Sequence, residues 1–122
     1  MSQTVLTIDD SRTMRDMLRM ALVEAGYQVL QAVDGVDGLG VLRASAVPDV
    51  IVTDINMPNM DGFGLIDAVR KDGRYKSVPI LVLTTESDAA KKQRAKAAGA
   101  TGWIVKPFDP VKLIGAIRKV AG

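Results

Sequence analysis

Carboxylate, hydroxyl and ammonium side chains directly follow short apolar segments at four points along this sequence. Carboxylate oxygens can bind a hard divalent cation, and ammonium and hydroxyl groups can donate hydrogen bonds to an anion. A single Asp after a strand is most often a turn residue or a helix cap, but four such strand ends indicate one shared site. The residues concerned are Asp9, Asp10, Asp54, Thr84, Thr85 and Lys106.

The charges of these residues favour magnesium and phosphoryl chemistry. Three carboxylates in one pocket repel one another unless some are protonated or a cation lies among them. One divalent cation and one lysine would balance the three carboxylates formally. Because Mg²⁺ commonly joins carboxylates to phosphate oxygens, phosphoryl transfer is the leading reaction class, with a carboxylate as the nucleophile.

Composition excludes several other kinds of chemistry. The chain has no cysteine and no histidine, which excludes disulfides, zinc–thiolate sites, Ser-His-Asp triads and a phosphohistidine on this chain. Its 122 residues are 48% hydrophobic and 25% charged, which is typical of one globular domain. We therefore expect a single domain over residues 1–122, without an output domain. No export signal or membrane-length apolar run is present, so we expect a cytoplasmic protein.

Five apolar strand candidates alternate with segments of helical periodicity. The third and fourth are apolar without alternation, which is typical of strands covered on both faces. The pattern predicts an α/β fold, a parallel sheet with right-handed crossovers and helices on both faces. Ligands of such sheets bind at the carboxyl ends of the strands. The predicted strands are residues 5–8, 28–32, 50–53, 80–83 and 102–105.

The helical segments differ in how well their sequences support a helix. Asp61 and Asp109 occupy N-cap positions, and Gly26 suits a left-handed cap after the first helix. Residues 34–44 contain two interior glycines, each costing about 1 kcal/mol relative to alanine. Residues 88–98 can bury only alanines, so we expect this helix to be loosely packed. The stripe predicted to be buried in the first helix is Met14, Met17, Leu18, Ala21 and Leu22.

In order and separation, the polar motifs resemble those of response-regulator receiver domains. The similarity covers about residues 5–120 and is greatest to the stand-alone chemotaxis regulators of the CheY type. It implies a doubly wound, flavodoxin-like sheet of five parallel strands in the order 2-1-3-4-5. The motifs that carry it are Asp9-Asp10, residues 54–62 (DINMPNMDG), residues 83–86 (LTTE) and Lys106-Pro107-Phe108.

The resemblance implies a role for each site residue. Asp54 would accept a phosphoryl group from a histidine kinase, forming an aspartyl phosphate, while Lys106 and Thr84 would contact the phosphoryl oxygens. The family also carries a cis peptide after the lysine, so Lys106–Pro107 is predicted to be cis. The expected Mg²⁺ ligands are Asp9, Asp10, Asp54 and the backbone carbonyl of Asn56.

Three residues occupy positions that govern switching and phosphoryl lifetime in the family. Trp103 lies three residues before the lysine, where an aromatic side chain swings inward as the threonine moves. We expect its fluorescence to change with a phosphate mimic plus Mg²⁺. Asn56 and Glu86 lie two residues beyond the acceptor and the threonine, at positions that tune dephosphorylation.

Basic residues crowd the last two predicted helices. A solvated charged face is the default interpretation, and the net charge of +2 without aromatic interleaving argues against nucleic acid. The functional interpretation is a docking surface for an acidic or amphipathic partner segment. The resemblance implies a chemotaxis histidine kinase upstream, the flagellar motor switch downstream, an auxiliary phosphatase, no membrane, and a monomer. The basic residues are Lys91, Lys92, Arg94, Lys96, Lys112, Arg118 and Lys119.

Three other functions fit parts of the pattern. A phosphatase of the haloacid dehalogenase type needs a second Asp two residues after its nucleophile, where this chain has Asn56. A flavodoxin-like FMN carrier needs a Ser/Thr/Gly phosphate loop where this chain has Asp9-Asp10. A phosphorelay intermediate or phosphate sink of the same family stays open. In the leading interpretation the chain is not an enzyme and catalyses only its own phosphorylation and dephosphorylation.

Overall fold

The computed structural model describes residues 3–121, which form a five-stranded parallel sheet with helices on both faces. The strand order is β2-β1-β3-β4-β5, so the predicted fold class and strand order are confirmed. The strands are β1 (Thr4–Ile8), β2 (Gln28–Ala32), β3 (Val50–Thr53), β4 (Ile80–Thr84) and β5 (Gly102–Val105). The helices are α1 (Arg12–Glu24), α2 (Gly35–Ala44), α3 (Gly62–Lys71), α4 (Ala89–Ala98) and α5 (Pro110–Ala121), with a 3-10 turn at Gly73–Tyr75.

The central strands supply two separate hydrophobic layers. Every residue of β3 and β4 is buried, because successive side chains point to opposite faces and both faces are covered. Ile51 packs with α2, α3 and α4 on one face, whereas Val50 and Val52 pack with α1 and α5 on the other. This explains why the sequences of these strands show no polar alternation.

Side-chain caps begin the helices where the sequence places short polar residues. The carboxylate of Asp61 accepts a hydrogen bond from the amide of Gly64 at 2.9 Å, and Asp109 accepts one from Val111 at 2.9 Å. Ser11 caps α1 through the amide of Met14, a cap that the sequence patterns did not single out. Gly26 has φ +94° just after α1, which confirms the predicted left-handed position.

Two expectations about the helices need correction. Met17 was predicted to be buried, but it is 49% exposed, because the buried stripe of α1 is narrower than predicted. Leu18 and Leu22 are buried, and Met14 packs beside them. Gly38 was counted as a weakness of α2, yet a Cβ at this position would lie 2.7 Å from Cδ1 of Ile8. The missing side chain therefore lets α2 approach the sheet closely.

The prediction that the buried side of α4 consists of alanine is confirmed, whereas its loose packing stays a prediction. Ala95 is its one fully buried residue, and its C-terminal cap is Gly99 at φ +118°.

Over residues 3–121, the helices are all too short or too polar to span a bilayer.

Candidate functional site

The chemistry-bearing residues lie together at the carboxyl edge of the sheet. Ile8 of β1 is in register with Thr53 of β3, so the next residues, Asp9 and Asp54, emerge side by side. The amide of Asp54 donates to the carbonyl of Ile8 at 3.0 Å, which continues the pairing past the strand ends.

Asp9, Asp10 and Asp54 form a compact acidic cluster. One carboxylate oxygen from each lies within 4.8 Å of the others. Asp9 is 2% exposed and Asp54 is 8% exposed, whereas Asp10 is open to solvent. The structure thus brings together the three carboxylates that the sequence predicted to converge.

Lys106 follows the edge strand β5 and reaches past β4 to bridge the two buried carboxylates. Its backbone amide donates to the carbonyl of Thr84 at 2.8 Å, and its Nζ lies 2.8 Å from Oδ2 of both Asp9 and Asp54. Burial favours the neutral amine, but the hydrogen bonds and charges of Asp54 and Asp9 outweigh it, so the pKa of Lys106 is raised. The Lys106–Pro107 peptide is cis, as predicted.

The donor set fits a hard divalent cation. Among the described residues, Lys106 is the one cation that forms a salt bridge with these carboxylates, so a single ammonium faces three acidic groups. All the clustered ligand atoms are oxygens, which suits magnesium, calcium or manganese. The exposed Asp10 leaves the cluster open toward solvent. The pocket could therefore hold a metal ion.

The backbone after β3 holds the second oxygen of Asp54. Its Oδ1 accepts hydrogen bonds from the amides of Ile55 at 2.6 Å and Asn56 at 3.4 Å. The amide of Gly62 donates to the carbonyl of Ile55 at 2.9 Å, and a Cβ on Gly62 would overlap the carbonyl oxygen of Asp54. Gly62 is thus needed for the close return of the loop beside the predicted acceptor.

Thr84 and Trp103 are linked through the backbone of Glu86. Thr84 is fully buried, and its Oγ1 accepts a hydrogen bond from the amide of Glu86 at 3.3 Å. The indole N–H of Trp103 donates to the carbonyl of Glu86 at 3.1 Å. Trp103 is half-buried and packs beside the core layer under α4. The predicted switch residues are therefore in contact through one intermediate residue.

The side chain of Glu86 connects the site loop to α4, which the sequence did not reveal. Its Oε1 accepts hydrogen bonds from Nδ2 of Asn56 at 3.1 Å and from Nζ of Lys91 at 3.0 Å. These two contacts, Lys91 first, hold the pKa of Glu86 below its ordinary value. Both Asn56 and Glu86 were predicted to tune dephosphorylation, but their contact was not predicted, because no periodicity relates residues in loops 30 positions apart.

Two basic residues, Arg15 and Arg94, have intramolecular contacts that were also missed. Arg15 donates from Nη1 to the carbonyl of Asp9 at 2.8 Å, which ties the first turn of α1 to the acidic cluster. The guanidinium of Arg94 lies 4.0 Å from the ring centroid of Phe63. A basic residue one turn inside a helix that follows the acidic pair is a signal that could have indicated Arg15.

Comparison with known proteins gives a consistent set of similarities. The family model of the response regulator receiver domain matches residues 5–118. Chemotaxis protein CheY1 of Helicobacter pylori is 42% identical over 119 residues, covering 97% of this chain and 96% of that protein. A CheY homologue of Campylobacter jejuni is 38% identical, covering 97% and 92%. The crystal structure of CheY4 from Vibrio cholerae has a TM-score of 0.93 at 46% identity, covering 98% and 99%.

Proposed function

Because this chain belongs to the response regulator receiver domain family, we propose that it is a phospho-acceptor switch of a two-component system in chemotaxis. Asp54 is the proposed acceptor, and a histidine kinase is the proposed donor. The observation that supports this most directly is the cluster of three carboxylates around Lys106 at one edge of the sheet. The names of the similar chemotaxis proteins support the pathway. The proposed setting is the cytoplasm, with the protein as a monomer.

Mg²⁺ is the metal that best suits this proposal. Asp9, Asp10, Asp54 and the backbone carbonyl of Asn56 would hold it, and when bound it would neutralise phosphoryl oxygens. Asp10 is exposed, so an ion and a phosphodonor would approach the site from the side of Asp10.

The transfer itself requires one nucleophile and well-placed donors. A carboxylate oxygen of Asp54 forms a bond to phosphorus as the bond from phosphorus to the kinase histidine nitrogen breaks, and that nitrogen leaves with the electron pair. Lys106 is already charged and held beside Asp54, so a donor for the phosphoryl oxygens is close to the acceptor before transfer.

Phosphorylation would alter the balance of charge in the pocket. The phosphoryl group replaces the single charge of Asp54 with two, leaving one formal negative charge beyond what a divalent cation and Lys106 neutralise. Further donors are then favoured, and the hydroxyl of Thr84, the last residue of β4, is the proposed one. Turning that hydroxyl toward the phosphoryl group would change its present contact with the amide of Glu86.

The contacts of Glu86 connect the proposed movement of Thr84 to residues near the surface. Glu86 contacts the indole of Trp103 through its carbonyl and Lys91 of α4 through its carboxylate. Because α4 buries only Ala95 fully, a small displacement of the preceding loop can move it at low cost. The surface formed by α4, β5 and α5 is the proposed output face, and the flagellar motor switch is the proposed partner.

Labelling with phosphate from a panel of chemotaxis kinases tests the acceptor. Wild type should gain label in the presence of Mg²⁺, and Asp54→Asn should lose it. Asp72→Asn is a matched control, because Asp72 is a capping carboxylate paired with Arg74 away from the cluster. Label retained by Asp54→Asn would overturn the site assignment, and label lost from Asp72→Asn would show that the effect is not specific.

The other functions predict different outcomes. A haloacid dehalogenase type phosphatase would turn over many substrates with Mg²⁺, but the residue two positions after Asp54 is Asn56, whose amide is bonded to Glu86. We propose instead that the chain catalyses only its own phosphorylation and dephosphorylation. A phosphate sink or relay intermediate would accept label without binding a motor switch peptide. A pull-down with and without a phosphate mimic separates these two roles.

A further inference from the structure

The loop after β3 is tied to the turn before α2 at two points away from the acidic cluster. Nδ2 of Asn59 donates a hydrogen bond to Oδ2 of Asp34 at 2.7 Å. Beside it, the amide of Gly35 donates to the carbonyl of Met60 at 3.1 Å. Together these contacts join residues 34–35 to residues 59–60.

Asp34 is a nearly buried carboxylate that neutral donors satisfy. It is 6% exposed, and its Oδ1 accepts from the amide of Asp37 at 2.8 Å as the N-cap of α2. The hydrogen bonds from Asp37 and Asn59 lower the pKa of Asp34. Therefore Oδ1 caps α2, while Oδ2 binds the loop that carries Asn56.

The backbone on both sides of this contact is specialised for it. Asn59 has φ +67°, a left-handed conformation that asparagine and glycine adopt more readily than other residues. A Cβ on Gly35 would lie 2.6 Å from Cγ of Met60, so only glycine allows the two segments to approach this closely. The hydrogen bond to Asp34 contributes to offsetting the cost of this conformation.

We propose that the Asp34–Asn59 hydrogen bond is a positioning contact that holds the backbone carbonyl of Asn56 ready for the metal. The inference rests on the proposed function, because it assumes that this carbonyl is a ligand. Asn56 lies between two anchors, the Gly62–Ile55 hydrogen bond and the Asn59–Asp34 contact. Neither Asp34 nor Asn59 belongs to the carboxylate cluster. If their contact is lost, binding of the ion must also order residues 56–60, and the affinity falls.

Calorimetric titration of the full chain with Mg²⁺ tests this contact from both sides. Asn59→Gly keeps the left-handed conformation and the net charge but removes the amide donor. Asp34→Asn keeps one oxygen to cap α2, but its NH₂ group then faces the NH₂ group of Asn59, so no acceptor is left for that contact. We expect each to weaken Mg²⁺ binding about ten-fold, at the low end of the effects of contacts that orient metal ligands. Unchanged affinity in both variants would overturn the proposal.

A reciprocal exchange separates positioning from a general loss of stability. In Asp34→Asn combined with Asn59→Asp, the amide introduced at position 34 can donate to the carboxylate introduced at position 59, with no change in net charge. We expect its Mg²⁺ affinity to return to within about three-fold of wild type, since the hydrogen bond and the net charge are both restored. A double variant as weak as the single ones would contradict the proposal. Asp72→Asn controls for the loss of one capping carboxylate and should bind Mg²⁺ like wild type.

Hydrogen exchange of the metal-free protein gives a readout that does not involve the ion. Peptides covering residues 56–60 should exchange faster in Asn59→Gly than in wild type, while those covering β4 should be unchanged. Equal exchange over residues 56–60 would overturn the positioning role. If wild type itself took up no Mg²⁺, the proposed metal site would fail instead, and the exchange result would still decide whether the contact orders the loop.

Discussion

At the scale of single residues, Lys106 has two roles, each of which requires different hydrogen-bond partners. In the structure it is the counterion of Asp9 and Asp54, both of which are nearly buried. In the proposed transfer it must instead face phosphoryl oxygens. One side chain can perform both tasks, because a lysine ammonium has three donors on a flexible stem.

Replacing Lys106 with methionine should therefore destabilise the metal-free protein. Two largely buried carboxylates would lose their common counterion, and we expect the free energy of unfolding to fall by about 1–3 kcal/mol. Saturating Mg²⁺ should restore part of this loss, because an ion that binds only the folded state stabilises it. Urea unfolding with and without Mg²⁺ measures both effects.

Lys112→Met is the matched control for this measurement, because Lys112 is exposed on α5. It should leave stability within about 0.5 kcal/mol of wild type. If Mg²⁺ did not raise the free energy of unfolding of Lys106→Met, the idea that this lysine and the ion both neutralise the buried carboxylates would be contradicted.

Trp103 should report the movement of Thr84, because both contact Glu86. Beryllofluoride with Mg²⁺ should change the emission of Trp103, the only tryptophan, and Thr84→Ala should abolish the change. Thr85→Ala is the control, since the Thr85 side chain is next in sequence but exposed. An unchanged spectrum in wild type, or equal losses in both variants, would show that Trp103 does not follow Thr84.

At the scale of elements, α4 and α5 have similar lengths and different attachments. Leu113, Ile114 and Ile117 bury one side of α5, whereas α4 has only Ala95 fully buried. The C-terminal end of α4 is nevertheless fixed, because Arg70 donates from Nε at 3.0 Å and from Nη2 at 2.9 Å to the carbonyl of Gly99. Movement of α4 is therefore expected at its N-terminal end, next to the loop of Glu86.

Hydrogen exchange should reproduce this difference. The first turns of α4 should exchange faster than those of α5, since less apolar burial opposes local opening, and the last turn of α4 should be better protected than its first. Arg70→Met should reduce that gradient, because releasing the carbonyl of Gly99 lowers the protection of the last turn. Protection of the whole of α4 at the level of α5 would contradict the expected mobility.

How far the sequence predicts such elements depends on the kind of signal. The strands were predicted to within a residue because burial on both faces imposes unbroken apolar runs, and the caps at Asp61 and Asp109 follow from local chemistry. Met17 was placed wrongly because helical spacing does not say how wide the buried stripe is. The Asn56–Glu86 and Asp34–Asn59 contacts could not be predicted, because they depend on where separate loops end in space rather than on periodicity.

At the scale of the whole molecule, the charge is nearly balanced but unevenly distributed. The net charge is +2, while the acidic cluster lies at the sheet edge and lysines line the proposed output face. Lys92, Lys96 and Trp103 border a cavity of about 210 Å³ between α4 and β5. A partner segment that carries acidic residues and one apolar side chain would suit this combination.

Binding of a motor switch peptide should therefore depend on these lysines and on salt. In the presence of beryllofluoride and Mg²⁺, Lys92→Ala and Lys96→Ala should each weaken binding about two- to five-fold at low salt, as exposed charge pairs contribute up to about 1 kcal/mol. The difference from wild type should shrink as ionic strength rises, because salt screens exposed charges. Lys71→Ala is the control, since Lys71 is exposed but paired with Asp67 on α3. Equal weakening by Lys71→Ala, or binding that salt does not affect, would place the partner on another surface.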